Sequence, residues 1–93
     1  MQLTTVKEMR TLGWAPFRKA EIQVSMRKKI ARLVLLMPDR EENHPTIDFP
    51  IIEGTANYEQ AGREIIAAAG SRGLLDANSM TVIVDVDSGK ISA

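Results

Sequence analysis

The chain contains no cysteine among its 93 residues, one histidine and four aromatic side chains. Without cysteine it can form no disulfide framework, no thiolate nucleophile and no cysteine-ligated zinc or iron–sulfur site. The single histidine, His44, has no second histidine to share a metal ion, so the sequence predicts no metal site and no cofactor. Small secreted domains usually depend on disulfides, and this absence therefore favours an intracellular, cytoplasmic location.

Long hydrophobic runs are also missing. The longest apolar stretch, residues 30–37, contains Arg32 and is far shorter than the roughly 20 residues that cross a bilayer, so we expect no membrane contact. The first five residues do not have the pattern of a signal peptide. The phosphate-binding loop, dinucleotide, serine-hydrolase and zinc-protease motifs are absent as well, and we therefore expect a protein that is not an enzyme.

Charge is present in equal amounts of both signs but is segregated along the chain. Residues 1–32 hold eight basic and two acidic side chains, whereas residues 33–93 hold four basic and ten acidic ones. Such asymmetry predicts docking to an acidic partner or to a second copy of the chain. The candidate partner-binding residues are the clustered cations Arg18, Lys19, Arg27, Lys28, Lys29 and Arg32.

Two classes of acidic partner are compatible with these cations. Phosphate backbones bind clustered cations, and Trp14 and Phe17 just upstream could stack on bases. Both aromatics are also expected as core anchors, and the sequence pI of about 6.6 is below that of a general nucleic-acid binder. The predicted function is a small binding or regulatory protein for nucleic acid or an acidic protein. The alternative is a self-associating interaction module, a homo-oligomer, or an inhibitor of another protein.

The length predicts a single domain, 1–93. Alternation over residues 20–26 and the apolar run 30–37 predict two strands with a basic turn between them, although one helix over 17–37 is an alternative. For residues 1–19 we expect either a short helix that Gly13 ends, with Leu3 as its first apolar residue, or an extended arm. Residues 46–49 predict an edge strand that Pro50 ends.

The clearest element is a helix over residues 57–69. Asn57 is its expected N-cap and Gly70 its expected left-handed C′ residue. Residues 80–86 alternate as a strand, which we expect to be central and covered on both faces. Residues 87–90 predict a turn, and 91–92 a short return strand. The expected fold is α+β, with a predominantly antiparallel sheet in the order β-β-β-α-β and one helix on one face.

This order of elements is similar to the antitoxin half of Hic-type toxin–antitoxin pairs. Phe49 and Pro50 close a strand, Gly54 follows, and a helix begins near Asn57. The similarity covers part of the chain, and the glycine-rich approach to the helix in that family is missing here. The resemblance implies an antitoxin-like regulator that binds another protein.

Overall fold

The computed structural model describes residues 6–39 and 41–92 and contains a five-stranded sheet with one long helix. The elements are α1 (Val6–Thr11), β1 (Phe17–Ser25), β2 (Ile30–Leu35), β3 (Thr46–Pro50), α2 (Tyr58–Ser71), β4 (Leu75–Asp85) and β5 (Ile91–Ser92). The α+β class is confirmed, and so are the short first helix and the edge strand. The predicted place of Leu3 in that helix lies outside the described residues.

The strands are arranged in the order β3-β2-β1-β4-β5. The β1–β2, β2–β3 and β4–β5 pairs are antiparallel, whereas β1 and β4 are parallel. The predicted antiparallel character therefore holds for three pairs, and the sheet as a whole is mixed. The parallel pair arises because the chain leaves β3, passes through α2 and returns beside β1, which is a crossover and not a hairpin.

The sheet has two different faces because side chains alternate along each strand. On the face that α2 covers, here called the helix face, β1 and β2 contribute the buried residues Ala20, Ile22, Val24, Ala31, Leu33 and Leu35. Helix α2 packs small residues against this layer. At Gly62 an added Cβ would lie 2.5 Å from Cγ2 of Ile83 in β4. The opposite side of the sheet is called the open face below.

The two predicted strands with a basic turn between them are confirmed, and the single helix over 17–37 is wrong. Residues 26–29 form the turn, and Lys29 adopts the left-handed region with φ 58°. A continuous helix would have placed Lys28 in the same stripe as Val24, Ala31 and Leu35. The hairpin instead exposes Lys28 and buries those three apolar residues.

Helix α2 begins as predicted and ends later. The Asn57 side chain caps it, since Oδ1 accepts a hydrogen bond from the Gln60 N–H at 2.8 Å. Gly70 is not its left-handed C′ residue, because the helix continues to Ser71 and Gly73 adopts φ 73°. The Leu74 N–H donates to the Ala69 carbonyl at 2.9 Å, as in a Schellman motif.

Strand β4 differs from its prediction in two respects. It begins at Leu75, five residues early, and it bulges there, since Phe17 pairs with Leu75 but Lys19 with Met80. It is also not covered on both faces, because Met80 on the open face is 68% exposed. Among the described residues, no helix has both the length and the apolar character to cross a bilayer.

Candidate partner-binding site

The structure divides the six predicted cations among three places. Near the start of β1 are Arg18 and Lys19. The turn that follows β1 contains Arg27, Lys28 and Lys29, and β2 contains Arg32. All six are exposed. Eight residue steps along an extended strand cover about 26 Å, so the groups at the two ends of β1 cannot contact one ligand group together.

Arg32 is paired within the chain itself. Its Nε donates to Oδ1 of Asp48 at 2.8 Å and its Nη2 donates to Oδ2 at 3.2 Å. The two residues are direct neighbours across β2 and β3. This hydrogen-bonded ion pair lowers the pKa of the Asp48 carboxyl and raises the pKa of the Arg32 guanidinium. A partner would have to displace Asp48 to use Arg32 fully.

Arg27, Lys28 and Lys29 lie in a turn whose backbone is held by hydrogen bonds to Ser25 and Asp87. We call residues 26–29 the basic turn. The Ser25 hydroxyl donates to Oδ1 of Asp87 at 2.9 Å, and the Arg27 N–H donates to Oδ2 of the same carboxylate at 3.0 Å. The Lys28 N–H donates to the Ser25 hydroxyl oxygen at 3.1 Å. These contacts fix the backbone conformation of the turn. The exposed side chains of the turn therefore extend from a backbone whose position is defined.

Asp87 reaches the basic turn because β1 and β4 run parallel and end at the same edge of the sheet. Val24 lies opposite Asp85, which places the turn after β4 beside the turn after β1. The pKa of Asp87 is lowered, first by the Arg27 backbone N–H, then by the Ser25 hydroxyl and the nearby Arg27 and Lys28 charges. The carboxylate is therefore stabilised in the charged form that the turn needs.

Apolar side chains adjoin the basic turn. Ile30 follows it directly and is exposed, and Val86 precedes Asp87 and is exposed. The Ile51 N–H donates to the Lys29 carbonyl at 3.1 Å, which brings the 65%-exposed Ile52 to the same edge. The edge thus presents three cations beside three exposed aliphatic groups.

The aromatic residues next to the first cations are not free for base stacking. Phe17 is buried in the core, and Trp14 is half-buried against it. The interpretation of both as core anchors is therefore confirmed. His44 is a loop residue as expected, and its Nδ1 accepts a hydrogen bond from the Met37 N–H at 2.9 Å.

A groove of about 420 Å³ opens between α2 and β4. Its lining residues are Ile66, Gly70, Leu75, Asp76, Ala77, Ser79 and Thr81. Asp76 is the ionisable group of this lining, and its Oδ1 accepts a hydrogen bond from the Asn78 N–H at 2.9 Å. Within residues 6–39 and 41–92, no three His, Asp or Glu side chains are grouped so that they could hold a metal ion.

Sequence reasoning found the cations of the basic turn but not the residues that hold them. Ser25 was one polar residue in an alternating strand, and Asp87 belonged to its own predicted turn. Ser25 and Asp87 come together because β1 pairs in parallel with β4. This pairing depends on contacts between residues about 60 positions apart in the sequence.

No family model matches the chain, and neither a curated protein nor a solved structure shows significant similarity to it. The likeness to Hic-type antitoxins therefore stays a prediction. We argue the function from the geometry and charge of the basic turn.

Proposed function

We propose that this chain is a non-catalytic binding protein that docks an acidic surface of another protein through its basic turn. The observation that carries the proposal is the combination of three exposed cations, Arg27, Lys28 and Lys29, with a backbone held by Ser25 and Asp87. A site that is ordered before binding loses less conformational entropy when the partner arrives. Carboxylates on the partner would pair with the three side chains.

An acidic protein is favoured over nucleic acid by the surroundings of the turn. The exposed aliphatic groups of Ile30, Ile52 and Val86 match the apolar patches of a protein surface. Single-stranded nucleic acid also requires stacking platforms, and Phe17 at the far end of β1 is buried.

The other predicted cations are outside the proposed site. Arg18 and Lys19 lie roughly 20–23 Å along β1 from its end at the turn, and Arg32 is held by Asp48. We therefore assign the docking role to Arg27, Lys28 and Lys29 alone.

The test compares two variants that lose the same charge. The first is Arg27→Ser, Lys28→Ser and Lys29→Ser combined, and the second combines Arg18→Ser, Lys19→Ser and Arg63→Ser. Labelled polyglutamate is the probe, and its anisotropy is measured at several salt concentrations. We expect the first variant to bind at least about 10-fold more weakly, equal to about 1.4 kcal/mol, and the second to bind like the wild type.

Equal losses in both variants would contradict the proposal, because they would show attraction to net charge and not to the turn. The same assay with a DNA duplex and a single-stranded RNA identifies the other partner class. Turn-dependent binding of either nucleic acid, without binding of polyglutamate, would overturn the choice of an acidic protein. Thermal melting of both variants must match that of the wild type, since all six replaced side chains are exposed.

A further inference from the structure

Strand β4 has an edge that β5 covers only in part, since β5 pairs with Ile83 and Val84 alone. The Asp85 N–H donates to the Lys90 carbonyl on the side of β5, at 2.8 Å. Because the backbone groups of successive residues alternate between the two sides of a strand, Thr81 also directs its N–H and C=O to the side of β5. Among the described residues no strand lies opposite Thr81, so its backbone groups are open to a partner.

The groove between α2 and β4 runs along this uncovered edge. The side chains of Ser79 and Thr81 line it on β4, and their hydroxyl oxygens are 3.4 Å apart. Ile66 and Gly70 line it on α2 and are separated by about one helical turn. An added Cβ at Gly70 would meet no heavy atom within 4 Å, so the helix leaves room there for a side chain from outside. The groove can therefore accept side chains of a strand that pairs with β4.

Strand β5 shows where the side chains of such a strand would point. Ser92 lies opposite Ile83, and its hydroxyl donates to Oε2 of Glu59 in α2 at 3.4 Å. Ile91, which precedes Ser92, lies opposite Val84 and is exposed on the open face. A strand that continues the line of β5 along β4 would alternate in the same way, with every second side chain in the groove.

The charge of the groove indicates which strand it accepts. In the part of the chain that the structure describes, the Asp76 carboxylate in its lining forms no ion pair. Ile66 and Leu75 in the lining favour aliphatic side chains, whereas Asp76 favours a basic one. The edge strands that a second copy could offer, β3, β4 and β5, contain Asp48 and Asp76 but no basic residue. A segment of another protein can supply both kinds of side chain.

We infer that the uncovered edge of β4 binds an extended segment of another protein, which adds as a strand antiparallel to β4 and in line with β5. Its backbone N–H and C=O groups pair with those of Thr81, and every second side chain enters the groove. The segment carries aliphatic residues opposite Thr81 and Ser79 and a Lys or Arg directed toward Asp76. The backbone pairing provides affinity, and the groove provides specificity.

Fluorescence anisotropy with a labelled hexapeptide, Thr-Val-Thr-Val-Thr-Lys, tests the strand addition. Methyl groups on the backbone nitrogens of both valines should weaken binding at least about 10-fold, because these N–H groups would face Thr81 and Ser79. Methyl groups on the nitrogens of the second and third threonines are the matched control. Those N–H groups would point away from β4, so the dissociation constant should stay close to that of the unmodified peptide.

Protein variants locate the peptide on the molecule. Gly70→Leu fills the groove and should weaken peptide binding at least about 10-fold. Ala67→Leu, an exposed position of α2 outside the groove lining, should bind like the wild type. Asp76→Asn should weaken binding of the lysine peptide but not of an analogue with glutamine in place of the lysine. Thermal melting of each variant checks that it is folded.

Four results would overturn the inference. Equal losses from both pairs of methyl groups would show binding without strand pairing, and equal losses in Gly70→Leu and Ala67→Leu would show binding outside the groove. A wild type that does not bind the peptide excludes this occupant. A wild type that dimerises, with a dimer that Gly70→Leu dissociates, would assign the edge to a second copy.

The inference is independent of the proposed docking function. The variant with serine at Arg27, Lys28 and Lys29 should lose polyglutamate binding and still bind the hexapeptide. Gly70→Leu should show the reverse, because the groove and the basic turn share no residue.

Discussion

At the scale of single residues, the shape of the basic turn depends on Asp87, whose two carboxylate oxygens bind the Ser25 hydroxyl and the Arg27 N–H. An asparagine has one acceptor oxygen in its side chain, so Asp87→Asn loses one of these contacts. We expect the variant to be less stable at neutral pH, as measured by urea unfolding. The loss should be accompanied by weaker polyglutamate binding, since the cations would no longer project from a fixed backbone.

The same residue predicts a pH dependence. The folded-state pKa of Asp87 is below the value of about 3.9 in an unfolded chain. Its contribution to stability is therefore complete above about pH 4 and is lost as the pH falls through the folded-state pKa. The wild type should lose more free energy of unfolding than Asp87→Asn between neutral and acidic pH. Since Asp48 titrates with the same sign in both proteins, identical pH slopes would show that Asp87 does not hold the turn.

At the scale of secondary-structure elements, the close approach of α2 to β4 depends on Gly62. A methyl group there would lie 2.5 Å from Cγ2, 2.6 Å from Cδ1 and 2.7 Å from Cγ1 of the buried, β-branched Ile83. Gly62→Ala should therefore lower the free energy of unfolding by about 1–3 kcal/mol. Gly70→Ala, in the same helix with open space around it, should raise it by up to about 1 kcal/mol.

Chemical denaturation of both glycine variants measures the difference. Adding Ile83→Val to Gly62→Ala should recover part of the loss, because it removes Cδ1 from the contact. If Gly62→Ala proved as stable as Gly70→Ala, the helix would not pack on β4 at this distance.

Several elements could be predicted from local patterns. Alternation marked β1 at Ile22 and Val24, and Asn57 marked the start of α2. The end of α2 was wrong because Gly70 and Gly73 both offered a left-handed position, and the local sequence does not distinguish them. The start of β4 was missed because Asp76, Asn78 and Ser79 are residue types that strands disfavour, and they form the bulge opposite Arg18.

At the scale of the whole molecule, segregation of charge along the chain does not become segregation in space. The strand order interleaves early and late segments, so Arg32 pairs with Asp48, and the Asp87 carboxylate lies against the backbone N–H of Arg27. All six candidate cations are exposed, but they do not form the single cluster that their spacing in the sequence indicated. Their division among three places follows from the lengths of β1 and β2 and from the register of β3, which are properties of the assembled sheet.

The most direct test of docking at the basic turn is a titration of the ¹⁵N-labelled protein with polyglutamate, followed by its backbone amide chemical shifts. The account predicts that the largest shift changes fall on residues 26–29 and on 86–89, which adjoin them through Asp87. Changes centred on Arg18 and Lys19, or on the open face around Arg32, would contradict it, as would a spectrum that polyglutamate leaves unchanged.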